Sequence, residues 1–150
     1  MSSQNEPLAI YIMIYAEASL SPHESHVALL VNLPGARKHY IFHAVEDIST
    51  ETEMMFEKLE KALDPLGTKT AHERIALSTA IPESQFDSLS DTLAATPVPR
   101  PKPANWNCQS WLCEGLVNME RSQFLPPGDA ARLYQQMMDI INATALGVIV

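Results

Sequence analysis

Three short runs rich in β-branched and aromatic residues constrain the fold more than any other feature of the chain. They are residues 8–16 (LAIYIMIYA), 26–32 (HVALLVN) and 39–45 (HYIFHAV). Each has strand length, and each is bounded by turn-forming residues: Pro22 before the second, Pro34-Gly35 between the second and third. Connections this short favour an antiparallel meander. Residues 71–80 (AHERIALSTA) supply a fourth, more polar strand suited to an edge. Helices are expected at four places. Residues 52–63 carry Met55, Leu59 and Leu63 at fourfold spacing, behind Ser49 or Thr50 as a cap, with Glu51 and Glu53 in the first turn. A second helix starts after Pro82 and places Phe86, Leu89 and Leu93 on one side. A third covers residues 107–119, and a fourth covers 130–142, capped by Asp129. The expectation is an α+β domain spanning residues 1–150, an antiparallel sheet of about four strands packed by three or four helices.

Composition narrows the partners. With 46% hydrophobic residues in 150, the chain has the material for a packed core. A formal net charge of −8, with only 10 Lys and Arg, argues against nucleic acid and against anionic membrane surfaces. The apolar run at residues 8–16 is too short to span a bilayer, and so is the tail at 143–150. The N-terminus lacks the basic stretch of a signal peptide. Cys108 and Cys113 point in different directions on one helix, so they are expected as reduced thiols in a cytoplasmic protein. No glycine-rich phosphate loop is present, and no cofactor is expected.

The chemistry concentrates in Asn107-Cys108-Gln109-Ser110-Trp111 and two strand-borne histidines, His26 and His43. The two histidines are equidistant from Pro34-Gly35, so a symmetric hairpin sets them opposite each other on one face. Residues 96–103 (TPVPRPKP) form a stiff connector, after which Asn107 or Asn105 can cap a helix with Cys108 in its first turn. There the helix dipole and unpaired amides favour a thiolate, and an imidazole can act as its base. One histidine would shuttle the proton and the other would orient it. The amide of Cys108 is placed to stabilise an oxyanion.

On these residues, H-V-A-L-L-V from His26, Tyr40-Ile-Phe-His43 and Asn107-Cys108-Gln109, the chain resembles permuted NlpC/P60-type thiol enzymes, a papain-like group that includes lecithin–retinol acyltransferase-like proteins. It is also similar to small uncharacterised fungal proteins with H-x-A-L-L-V and N-C-Q-x-W motifs. The resemblance covers residues 8–45 and 104–119 and implies a nucleophilic Cys108, a base at His26 and an orienting His43. The substrate would be a small molecule or peptide carrying an amide, ester or thioester, with Trp106, Gln109 and Tyr40 as candidate contacts. Gln109-Ser110 replaces the Glu-His of the acyltransferase members, so their substrate preference does not transfer.

Each residue also has a plainer role. Cys108 can be a small buried hydrophobe and His43 a hydrogen-bonded core histidine. Trp106 and Trp111 supply packing area. Zinc at His23, His26, His43 and Cys108 is disfavoured because no second cysteine stands at ligand spacing. The rival functions are a binding module with an inert thiol, and a cyclase or isomerase that uses only the histidines.

Overall fold

The three β-rich runs become consecutive strands in the computed structural model, which describes residues 6–16, 21–68 and 72–145. They are β1 (Ala9–Tyr15), β2 (His26–Leu33) and β3 (Lys38–Glu46). β4 (Met54–Lys61) and β5 (Glu73–Ala76) complete an antiparallel sheet of five strands, ordered β4-β3-β2-β1-β5. The helices are α1 (Phe86–Ala94), α2 (Cys108–Arg121) and α3 (Asp129–Ala145). The α+β architecture stands, with one strand more than expected and one helix fewer than the four places marked for them. The apolar tail continues past Ala145, outside the described residues.

The strand that replaces a helix is β4, and the reason is instructive. Residues four apart share a face on a helix and also on a strand, so Met55 and Leu59 fit either period. Alternation decides it: Met54 is buried and Phe56 half-buried against Phe42 and Trp111, at ring distances of 6.4 and 5.5 Å. Met55 and Leu63, two members of the expected helical stripe, are 40% and 84% exposed. The capping signal was real but local. Thr50 Oγ1 accepts from the amide of Glu53 at 3.1 Å, and Asp47 accepts from the amide of Ser49 at 3.1 Å. These bonds close the β3–β4 loop instead of starting a helix.

The two faces of the sheet have different covers. Ile10, Ile12, Ile14, Val27, Leu29, Val31, Phe42 and Ala44 pack against Trp111, Leu112, Leu116, Met119, Leu133 and Met137. Burying side chains of this size stabilises by roughly 1.5–3 kcal/mol each. The opposite face carries a smaller cluster of Met13, Ala28, Leu30 and Ile41. Because β4 and β5 lie at opposite edges, the connection between them must cross the sheet. Leu66 on that connection packs against this smaller cluster.

The proline segment is fixed by polar bonds. Arg100 donates to Asp47 at 2.6 Å and to the carbonyl of Met54 at 3.1 Å. The amide of Lys102 donates to Glu53 at 3.0 Å. The segment thereby holds the β3–β4 loop beside the start of α2. No helix among the described residues is long and apolar enough to cross a membrane.

Candidate active site

The β2–β3 loop is longer than a two-residue turn, and this shifts the register. Leu29 faces Phe42 and Leu33 faces Lys38, around a turn at residues 34–37. Continued along the strands, that register sets Ala28 opposite His43 and leaves His26 diagonal to it. A shift of two positions preserves face parity, so the imidazoles still meet. His26 Nε2 lies 3.0 Å from His43 Nδ1, with the rings edge-to-face at 5.1 Å between centroids. Strand β4 adds a third member: His43 Nε2 lies 2.8 Å from Glu57 Oε1, and His43 and Glu57 are paired across the ladder. Glu57 was hidden by the helical reading of its segment. The alternation of Met54 and Phe56 was the signal that placed it on a strand.

His43 is buried, whereas His26 is only partly covered and opens onto a cleft of about 940 Å³. Burial lowers the pKa of His26 to about 4, with the charge of His43 adding to the effect. His26 is therefore neutral near pH 7. Its ring also stacks on Tyr15 at 6.0 Å.

Cys108 begins α2 and lines the same cleft. Asn107 is the cap: its side-chain oxygen accepts from the amides of Gln109 at 3.0 Å and Ser110 at 3.4 Å. Its amide donates to the carbonyl of His23 at 2.9 Å. Gln109 completes the clamp by donating to the carbonyls of Pro22 at 2.8 Å and Ser25 at 2.9 Å. Thus the residues on either side of Cys108 bind the turn that delivers His26.

The thiol lies along the backbone of His26. Its sulfur is 3.8 Å from the Ser25 carbonyl, and the amides of Val27, Gln109 and Cys108 itself point toward it. Burial raises the thiol's pKa, outweighing the opposite pull of those amides. Among the described residues, the thiol's hydrogen bond goes to Ser25 and to neither imidazole.

The candidate substrate contacts divide. Trp106 is half-buried and lines the cleft. Gln109 is buried with its amide committed to the Pro22–Ser25 turn, so its observed role is structural. Tyr40 does not line the cleft: it shares the helix-packed side of β3 with Phe42, packs at a tilt against Phe86 at 4.7 Å between ring centroids and donates to Glu60 at 3.1 Å. Among the described residues no group of three or more His, Cys, Asp or Glu side chains is arranged to hold a metal ion.

A helix-packed five-stranded sheet carries a cysteine at a helix start on one side and a Glu–His–His chain on the other, with His26 as the member of that chain that lines the cysteine's cleft; this is an α+β protein with a candidate Cys–His site. The chain belongs to a family of unknown function, DUF6540, whose model matches residues 10–126. That span contains His26, His43, Glu57 and Cys108 and ends before α3. No curated protein matches the chain, and no solved structure does.

Proposed function

We propose that the protein is a thiol hydrolase or acyl/peptidyl transferase of the permuted NlpC/P60 type, acting on an amide, ester or thioester through Cys108. The observation that carries this reading is the Glu57–His43–His26 chain, whose His26 lines the cleft that also holds Cys108 at the start of α2. Cys108 packs with the helix-side core while the imidazoles share the opposite face with Ala28, Leu30 and Ile41, so activation requires the thiol to leave the Ser25 carbonyl and reach His26 around the start of β2. The imidazole takes the S–H proton and the sulfur forms a bond to the carbonyl carbon. The proton then goes to the leaving amine, alcohol or thiol as its bond to that carbon breaks. Water or a second acceptor resolves the acyl-thioester by the same steps in reverse. The amide of Cys108 is available to the tetrahedral oxyanion, since Asn107 takes those of Gln109 and Ser110 instead.

The test is the pH dependence of iodoacetamide alkylation at Cys108, located by mass spectrometry, in wild type and His26→Ala. Because burial raises the resting thiol's pKa, what is expected is alkylation near neutral pH that is faster in wild type than in His26→Ala, the imidazole acting as the thiol's base. A Cys108 that alkylates at the same rate and with the same pH dependence in both proteins overturns covalent catalysis by this pair.

The buried, raised thiol favours one second reading. In it, His26 alone performs acid–base chemistry on a ligand in the cleft, as a cyclase or isomerase would. Turnover that survives Cys108→Ala and disappears in His26→Ala selects this alternative.

A further inference from the structure

The hydrogen-bonded chain carries more information than the proximity of its members. Glu57 Oε1 is 2.8 Å from His43 Nε2, and an ionised carboxylate can only accept, so the proton of that bond sits on His43 Nε2. In neutral His43 this leaves a lone pair on Nδ1, 3.0 Å from His26 Nε2. His26 must then donate from Nε2, and its own lone pair is on Nδ1. We infer that Glu57, acting through His43, is a positioning residue that fixes His26 as the Nε2–H tautomer and gives the proton it accepts a place to rest. The inference rests on the reading of His26 as the base of the cleft.

The transfer balances. A proton arriving at His26 Nδ1 is matched by the Nε2 proton crossing to His43 Nδ1. His26 ends neutral as the Nδ1–H tautomer, and the positive charge settles on His43 beside Glu57. The reverse movement returns the proton through His26 Nδ1 to a leaving group. One chain therefore presents a base in one state and an acid in the other. The low proton affinity of His26 agrees with the charge being held one residue further from the cleft.

The charged and titratable groups around the pair come from every neighbouring element. Glu57 approaches from β4 and Tyr15 from β1, with His72 beyond the Tyr15 ring. Cys108 on α2, and His23 and Glu24 on the turn before β2, line the cleft with His26. Tyr15 has a pKa raised by burial, so it stays neutral across the range in which the histidines act.

The experiment reads the imidazole nitrogens directly, by long-range proton–nitrogen correlation NMR on nitrogen-labelled Cys108→Ala protein. That background separates the relay from covalent chemistry. At neutral pH a single His26 tautomer, protonated on Nε2, is expected. Glu57→Gln keeps an acceptor oxygen and therefore the tautomer. Glu57→Ala removes the acceptor, and His26 becomes a mixture of both tautomers. An Nδ1–H His26 in the unsubstituted site, or a spectrum unmoved by Glu57→Ala, overturns the inference. With the expected tautomers established, an inert Cys108 in the alkylation test would remove the nucleophile and leave the relay standing.

Discussion

The β2–β3 hairpin carries two hydrogen-bonded chains on one sheet face, one toward each end. Toward the strand ends, His26 meets His43, which meets Glu57. Toward the turn, His39 Nδ1 donates to the side-chain oxygen of Asn32 at 2.8 Å, and Asn32 donates to Asp64 at 3.2 Å. Both chains run from a histidine to a carboxylate, and His39 and His43 share strand parity. The difference lies in the middle group. An imidazole can accept a proton on one nitrogen while releasing one from the other, whereas an amide has fixed donor and acceptor ends. The carboxylates also come from different places. Glu57 belongs to an edge strand and leaves His26 open to the cleft. Asp64 belongs to the connection that crosses the sheet, where it also caps the Leu66 amide at 3.0 Å. The first chain is built to move a proton, and the second to pin a covering segment.

Removing the amide should show the largest effect on stability. Asn32 is 7% exposed and makes both bonds of its chain. Asn32→Ala deprives Asp64 and His39 of a partner and is expected to cost about 2 kcal/mol in urea unfolding. The rate and pH dependence of Cys108 alkylation should stay at wild-type values. If Asn32→Ala alters Cys108 as strongly as Glu57→Ala does, the two ends are one network and the contrast fails.

A smaller stability effect belongs to the other end and depends on pH. His26 has a native pKa of about 4, against about 6.5 for an unfolded histidine. Above the unfolded value both states are neutral and its contribution is fully present. Between about 6.5 and 4 the unfolded chain binds a proton that the native site refuses, so stability falls with pH through that window. Allowing for partial solvent exposure, the loss is about 1–2 kcal/mol. Urea midpoints at pH 7 and pH 4.5 should therefore diverge more in wild type than in His26→Asn, which has no imidazole to protonate. Equal pH sensitivity in both proteins would remove the desolvated imidazole from the account. The Asn32 amide has no counterpart to this behaviour.

Much of this was legible from local sequence, and the exceptions share a cause. The strands of the hairpin announce themselves by β-branched runs, and parity alone was enough to bring His26 and His43 to one face despite the shifted register. Cys108 is placed at a helix start by Asn107, a local cap. Glu57 was not legible while residues four apart could satisfy both periods. Its strand was settled by Phe56 finding Phe42 and Trp111, a contact made in the tertiary fold. Gln109 is similar: its partners Pro22 and Ser25 are distant in sequence, so no local pattern shows that its amide is committed.

The smallest expected effect concerns charge at the open end. The cleft is lined by Glu24, Glu46, Asp47, Glu51 and Glu53, with Lys102 as the lysine among them. Hydrogen bonds from the Ser49 hydroxyl and from Arg100 hold Asp47 at about 2, and the Ser21 amide and hydroxyl lower Glu24, so both are ionised at neutral pH. A cation entering to reach Cys108 should be favoured over an anion of the same shape. Relative to a free thiol, Cys108 is expected to react several-fold faster with a cationic methanethiosulfonate than with an anionic one. Salt should shrink that preference, because the screening length falls to about 3 Å at 1 M. Glu46→Gln with Glu51→Gln should shrink it at constant salt. A ratio matching the free thiol would mean that the acidic rim is solvated surface and sets no preference. A salt-sensitive ratio would assign the cleft to positively charged substrates, a property that the amide-centred end of the hairpin, lying outside the cleft, has no means to supply.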